Sequence, residues 1–275
     1  MSVKNVRWAF PTFKWNPTHN QILLASSFIQ TEEKQRISRF VFQEDAKSSL
    51  IGRLMMRKFA HFSTNIPYEE IRFGRDAHGK PIIVANNEVT SFFNISHQGD
   101  YVVLAGNTEK VIGVDIMKIV PPPNKNIQEF FRLMKRQFSE HEWSTIRKFP
   151  TEMQQISCFY RIWCLKESYV KNIGVGITIP LEKISFSINS PLQLDKIITD
   201  TKLYENDVLK EDWLFQETLL DKDHSVAVSV QKPFEFPLEP FKLIDFDELI
   251  KEAKPLFDCD DSFATSFMNK ENKPF

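Results

Sequence analysis

One stretch limits the folds open to this chain: Phe159-Tyr160-Arg161-Ile162-Trp163-Cys164-Leu165-Lys166-Glu167-Ser168-Tyr169-Val170-Lys171. Its spacing predicts a helix in which residues four apart stand one above another, so Phe159, Trp163, Glu167 and Lys171 form a single ridge. The upper half of the ridge is aromatic and should face a core. The lower half is a carboxylate followed one turn later by an ammonium, the favourable order for an ion pair. Such a pair is either a salt bridge on a solvated face, worth a few tenths of a kcal/mol, or part of a site. In a site, Glu167 would bind a metal or take a proton and Lys171 would meet a phosphate.

The rest of the chain can supply a core for that helix. Its 275 residues include 25 Phe and 5 Trp, enough aromatic area for one large domain or two small ones. A net charge of −1 argues against generic nucleic-acid binding. The stretch from Pro233 onward carries ten acids and five lysines, which leaves the body at +4, a balance that suits an anionic ligand or an acidic partner. Cys158, Cys164 and Cys259 have no metal-type spacing. Cys158 and Cys164 read as buried free thiols of a reducing compartment. No run approaches the ~18 apolar residues of a membrane span, and the amino terminus lacks a signal or transit pattern. These features predict a soluble cytosolic protein.

In chain order, Gln21 to Gln30 is an apolar run predicted as a strand. Thr31-Glu32-Glu33 opens a short helix carrying Arg36. Asp45 is a good N-cap for a helix over 46–62, whose Leu50, Leu54, Met55 and Phe59 form an apolar stripe. Ile71 to Pro81 reads as a hairpin turning at Asp76-Ala77-His78-Gly79. Arg75 and Lys80 flank that turn, as a solvated tip or as a basic clamp for phosphate. Phe92 to Asp100 contains Asn94-Ile95-Ser96-His97-Gln98, followed by a strand over 101–106. In the next strand, 111–117, Asp115 shares a face with Gly113 and Met117. A carboxylate among apolar neighbours is costly unless paired, solvated or bound to a cation, and Gly113 leaves room for something to approach it. His97 is a structural hydrogen-bonding histidine or part of the same site.

Pro121-Pro122-Pro123 marks a break. Beyond it, 127–138 is helical with Arg132, Lys135 and Arg136 exposed, and 141–149 is a second short helix. The central helix ends at Asn172-Ile173-Gly174, and Gly176 and Pro180 keep the next connection irregular. Strands follow at 184–188, 213–219 and 225–230, then a tail with an amphipathic piece over 246–253. The helices 46–62 and 152–172 occupy matching places. The predicted fold is therefore α+β, with two pseudo-symmetric halves at 1–119 and 120–232, an acidic, Pro-containing tail at 233–275, and the active site between the halves.

Val111-Ile112-Gly113-Val114-Asp115, followed about fifty residues later by Trp163 to Lys171, resembles the two-part signature of the Sfp-type 4′-phosphopantetheinyl transferases, and Asn94-Ile95-Ser96-His97 is similar to a third motif of that family. The likeness covers roughly residues 5–232, with the tail outside it. It is most like animal members of the family over Val6-Arg7-Trp8-Ala9-Phe10, Asn94 to Asp100 and Ile173-Gly174-Val175-Gly176. The resemblance implies the 4′-phosphopantetheinyl transferase fold and an enzyme of the holo-[acyl-carrier-protein] synthase type. Such an enzyme moves phosphopantetheine from coenzyme A to a serine of carrier proteins, such as those of fatty acid synthase, and releases 3′,5′-ADP. It implies Mg²⁺ held by Asp115 and Glu167, a base at Glu167 and a phosphate-binding Lys171. It implies a coenzyme A site made by Arg36, Arg75, Asp76, Ala77, His78, Gly79, Lys80, Asn94, Ile95, Ser96 and His97. Bacterial members often carry a second acid where this chain has Met117, a poor Mg²⁺ ligand, so Gln98 or a water would complete the metal's shell. A coenzyme A-binding protein without transfer, or an acyltransferase working at the thiol, are the rival expectations. The enzyme is expected to act as a monomer, away from membranes and nucleic acid.

Overall fold

The computed structural model describes residues 4–84, 91–123, 126–174, 179–234 and 237–274. Its first elements are β1 (Asn5–Pro11), α1 (His19–Ser26), α2 (Thr31–Ser38), α3 (Gln43–Thr64), β2 (Arg72–Arg75), β3 (Pro81–Val84), β4 (Phe92–Gln98), β5 (Tyr101–Asn107) and β6 (Ile112–Lys118). Then come α4 (Ile127–Leu133), α5 (Glu140–Arg147), α6 (Glu152–Ile173), β7 (Ile184–Ser187), β8 (Lys202–Glu205), β9 (Val208–Lys210), β10 (Trp213–Asp221) and β11 (His224–Gln231). The chain closes with β12 (Lys242–Leu243), α7 (Phe246–Ile250) and α8 (Asp261–Met268). They form two compact units: Met1–Ser91 with Asp100–Glu109 and Lys242–Phe275, and Phe92–Gly99 with Lys110–Phe241.

In the first unit, β1 runs antiparallel to β5, from Asn5 opposite Asn107 to Pro11 opposite Tyr101, and parallel to β12. The 22-residue helix α3 packs on β5. The Phe59 ring fills the space a Cβ at Gly106 would need, 2.5 Å away, so a glycine in the strand admits an aromatic ring from the helix.

In the second unit, β6, β11 and β10 make an antiparallel sheet with β11 at its centre, and β7, β8 and β9 make a smaller one. The helix α6 lies on β6 and β11 and buries two apolar clusters. One contains Phe131, Phe138, Trp143 and Phe159, the other Leu165, Tyr169, Phe186 and Phe215. Two buried ion pairs hold its other faces. Lys166 and Glu142, both fully buried, are 2.9 Å apart. The Lys166 ammonium also donates to the Leu181 and Ile184 carbonyls, while Glu142 accepts from Phe186 N and Ser139 N. Arg161 makes a two-pronged contact with Glu217, at 2.7 and 2.9 Å. With every charged atom partnered in this way, burial is tolerated.

Several local expectations change in the folded chain. The run Gln21 to Gln30 is not a strand: α1 occupies most of it, started by a capping box between Thr18 and Gln21, a signal that outweighs a short apolar run. Asp45 is not the N-cap of α3 but sits in its first turn, and the cap position is Phe42. The tail supplies what a cap would. Gln43 N donates to the Glu271 carbonyl at 2.7 Å, and Lys273 pairs with Asp45 at 2.7 Å. The helix expected over 127–138 stops at Leu133 and continues as a 3₁₀ turn over Lys135–Gln137, where Trp143 Nε1 donates to the Lys135 carbonyl. Strands β1, β8, β9 and β12 and helix α8 have no counterpart among the sequence expectations, which leave the first seventeen residues irregular. The tail is structured in the first unit through β12, α7 and α8. Gly174 ends α6 in the left-handed conformation, φ +74°, as the sequence indicates. Val175 and Gly176 lie outside the described residues.

Asp260 caps α8. Its carboxylate accepts from Phe263 N and Ser262 Oγ and pairs with Lys34 at 3.0 Å, while its own N–H donates to Ser26 Oγ. The Phe263 N–H, Ser262 and Lys34 together lower its pKa to about 2. A carboxyl depressed on folding stabilises above its unfolded value of about 3.9 and loses that contribution as pH falls toward 2. Asp260→Ala is expected to cost about 1 kcal/mol at pH 7. The gap from the parent in urea midpoint should narrow between pH 4 and 2.5; a gap independent of pH would contradict this.

Candidate active site

The two acids singled out by their spacing fall in one unit. The sequence reading puts Asp115 in the first half, but β6 is hydrogen-bonded along its length to β11, from His224 opposite Lys118 to Val230 opposite Ile112. That ladder draws β6 into the unit that holds α6.

Asp115 is 4% exposed and lies opposite Ala227 of β11. On its other side β4 runs beside β6 and meets it with side chains. Asn94, Ser96 and Gln98 alternate along one face of β4. Asn94 Oδ1 accepts from Val114 N at 3.1 Å, Gln98 Oε1 accepts from Lys118 N, and Ser96 Oγ donates to Asp115 Oδ1 at 2.7 Å. The outer residues thus hold the β6 backbone and the middle one holds the carboxylate. Behind Asp115, the Cys164 thiol donates to its main-chain carbonyl at 3.1 Å. Cys158 and Cys164 are buried free thiols and Cys259 is exposed.

The approach foreseen at Gly113 is made by α6 itself. A Cβ there would lie 2.0 Å from the Ser168 carbonyl oxygen and 2.8 Å from Asn172 N. Ser229 Oγ donates to that same carbonyl at 2.8 Å, and Asn172 Nδ2 donates to the carbonyls of Ser229 and Val111. Helix and strand therefore touch backbone to backbone, two residues from Asp115 and one from Glu167.

That contact brings Lys171 onto Asp115. Its ammonium donates to Asp115 Oδ1 at 2.6 Å and to Ser96 Oγ at 2.9 Å. The second oxygens of the two acids are different: Asp115 Oδ2 and Glu167 Oε1 are both buried and without a hydrogen-bond partner. Glu167 has its pKa raised, by burial first and then by the Asp115 charge, with Lys171 opposing. Two carboxylates that repel each other, each with an unmet oxygen, make a site short of positive charge. The donor set is hard and anionic and fits a Mg²⁺ ion that keeps several waters. No cluster of three His, Cys, Asp or Glu occurs among the described residues, in keeping with Met117 in the position of a third acid. The Gln98 amide oxygen is engaged by the Lys118 N–H, a bond that competes with its expected use as a ligand. His97 is exposed, on the face of β4 opposite Ser96.

The remaining expected residues lie in the first unit. Asp76 closes the β2–β3 turn by accepting from His78 N and Lys80 N, both at 2.9 Å. Gly79 takes φ +80°, and Arg75 donates to the Gly79 carbonyl. Arg36 and Arg75 line one cavity of about 250 Å³. Arg53 lines it too, and the sequence reading missed it: its only local signal is a charge one residue before Leu54 of the apolar stripe.

The comparisons with known proteins identify the family. Residues 13–109 match the family model described as 4′-phosphopantetheinyl transferase, N-terminal, and residues 111–229 match that of the 4′-phosphopantetheinyl transferase superfamily. The chain belongs to the 4′-phosphopantetheinyl transferase superfamily. It is 42% identical to the L-aminoadipate-semialdehyde dehydrogenase-phosphopantetheinyl transferase of Homo sapiens, over 99% of this chain and 94% of that one. It is 31% identical to a phosphopantetheinyl transferase of Thraustochytrium over 82% and 77% of the two chains, and 29% identical to the 4′-phosphopantetheinyl transferase Sfp of Bacillus subtilis over 82% and 91%. The match to the human relative takes in the tail, which the expected likeness over 5–232 left out.

Proposed function

We propose that this chain is a magnesium-dependent, monomeric enzyme of the cytosol that transfers 4′-phosphopantetheine from coenzyme A to a serine of acyl carrier protein domains, those of fatty acid synthase among them. The observation that carries this reading is the pair of buried, unpartnered carboxylate oxygens on Asp115 and Glu167, with Lys171 and Ser96 beside them. In the reaction, the serine oxygen bonds to the β-phosphorus of coenzyme A. The bond from that phosphorus to the bridging oxygen breaks, and 3′,5′-ADP leaves with the electron pair.

Asp115 and Glu167 would hold a magnesium ion, which would supply charge neutralisation for the diphosphate. Glu167 takes the serine proton, directly or through a water, a task suited to a carboxyl whose burial raises its proton affinity. Lys171 turns from Asp115 and Ser96 toward the phosphates and stabilises the leaving group. Ser96 and Asn94 keep Asp115 and its strand fixed, and His97 contacts phosphate from the exposed face. Arg36, Arg75, Lys80 and the 76–79 backbone take the nucleotide. Arg132, Lys135 and Arg136, all exposed, offer positive charge to an acidic carrier helix. No helix among the described residues is long and apolar enough to cross a membrane.

Purified enzyme, coenzyme A, Mg²⁺ and an apo carrier protein are expected to give a carrier heavier by one phosphopantetheine on its serine, read by intact mass. No gain across several carriers would overturn the proposal.

A further inference from the structure

The end of α2 is tied down by a residue of the distant tail. α2 runs only from Thr31 to Ser38 and buries two side chains, Glu33 and Ile37. A helix this short is not stable by itself, and its last carbonyls need donors from elsewhere. One donor comes from just beyond α8. The half-buried Lys270 ammonium donates to the Ser38 carbonyl at 3.0 Å and to the Phe40 carbonyl at 2.5 Å. A cation at that place also suits the helix dipole.

The Lys270 main chain is fixed on two sides. Its N–H donates to the carbonyl of Phe267, in a helix whose Phe263, Ala264 and Phe267 are buried. The next residue, Glu271, bridges to Phe42, and its carbonyl accepts from Gln43 N at 2.7 Å. Lys273 N donates to the Glu44 carboxylate, and the Lys273 ammonium to that of Asp45. The backbone over 271–273 is thus laid on the start of α3, while the Lys270 side chain reaches across the corner to α2. One turn before Ser38, Lys34 pairs with Asp260 at 3.0 Å.

What this corner controls is the place of Arg36. That residue is exposed, two positions before Ser38, and lines the 250 Å³ cavity with Arg53 of α3 and Arg75 of β2. Successive residues of a helix point about 100° apart, so a modest rotation of α2 on α3 carries the guanidinium off the cavity. α2 buries a single apolar side chain, Ile37, and packing alone resists that rotation weakly. The bonds from Lys270 hold the end nearest Arg36.

We infer that Lys270 is a positioning residue: by holding the Ser38 and Phe40 carbonyls it keeps α2 in the orientation that presents Arg36 to the nucleotide. It acts through α2 and not on the substrate. The assignment rests on Arg36 being a nucleotide contact of the proposed transferase, and it gives the tail a part in that reaction.

The test is Lys270→Met, read by carrier modification and by calorimetric binding of 3′,5′-ADP. KM for coenzyme A and the dissociation constant of 3′,5′-ADP are both expected to rise roughly tenfold, about the worth of one charge-assisted contact, with kcat kept within about twofold. Lys270→Arg, which keeps charge and donors, should bring both back to within about threefold of the parent. Lys58→Met removes a comparable bond in the same unit, from α3 to the Glu248 carbonyl at 2.9 Å, and should leave KM unchanged. In an Arg36→Gln background, Lys270→Met should add no further loss, because both changes act on one contact. Parent-like KM and 3′,5′-ADP affinity in Lys270→Met, an equal rise in Lys58→Met, or a full second loss in the Arg36→Gln background overturns the role. If the parent modifies no carrier, yet 3′,5′-ADP binding follows the expected pattern, the transferase proposal fails and the Lys270 role stands. If the parent modifies carriers and the pattern is absent, the Lys270 role fails and the transferase proposal stands.

Discussion

Gly113→Ala is expected to lower the rate of carrier modification roughly 100-fold and the melting temperature by roughly 6–12 °C. The added methyl would lie 2.0 Å from the Ser168 carbonyl oxygen, 2.8 Å from Asn172 N and 2.8 Å from Ser229 Oγ. Two of those three atoms are main chain and cannot turn aside as a side chain could. Overpacking typically costs about 1–3 kcal/mol, and a contact between two backbones belongs at the upper end. The helix must move off β6, and the residues that move with it are Glu167 and Lys171. A shift of about 1 Å in a reacting group is enough for a loss of this size. Ser229→Ala, which removes only the hydrogen bond to the Ser168 carbonyl, should keep most activity. Parent-like rate and stability in Gly113→Ala would show that the helix–strand contact does not set the site.

Asp115→Asn and Glu167→Gln are each expected to lower turnover by roughly 10²–10³-fold with the fold retained, and their stabilities should part in opposite directions. Asp115 accepts from Lys171 and Ser96, so the amide weakens charge-assisted contacts; Lys171 is 28% exposed and water can replace part of what it loses. Glu167 is different. Its carboxyl is pushed up on folding by burial and by Asp115. A carboxyl shifted that way favours the folded state as pH falls from its folded to its unfolded pKa, and opposes it at neutral pH. The isosteric amide removes that opposition. The melting temperature of Glu167→Gln at pH 7 should therefore equal or exceed the parent's while activity is lost, the trade expected of a strained site. Full activity in either variant would remove its assigned role.

The parts legible in the sequence are those whose geometry is local. Helix spacing alone stacks Glu167 and Lys171 on one ridge, strand alternation alone sets Asp115 with Gly113, and Gly174 announces the end of α6. The family likeness rests on these same residues. What escaped depends on partners distant in the chain. The start of α3 is completed by Glu271 and Lys273, more than two hundred residues away, so a good local cap at Asp45 pointed to the wrong position. Gln98 looked free to bind metal because nothing nearby in sequence shows that β6 needs its Lys118 N–H satisfied. Arg53 has the look of any helix-surface charge until α2 and the β2–β3 hairpin close around it. At Gly113 the need for space was readable, but its occupant, the backbone of α6, was not.

The most direct test is a calorimetric titration of Mg²⁺ into enzyme saturated with coenzyme A, for the parent, Asp115→Asn and Glu167→Gln. One ion per chain in the parent, with affinity weakened at least about tenfold in each variant, is the result expected if both acids grip the same cation. Unchanged affinity and stoichiometry in both variants would contradict it.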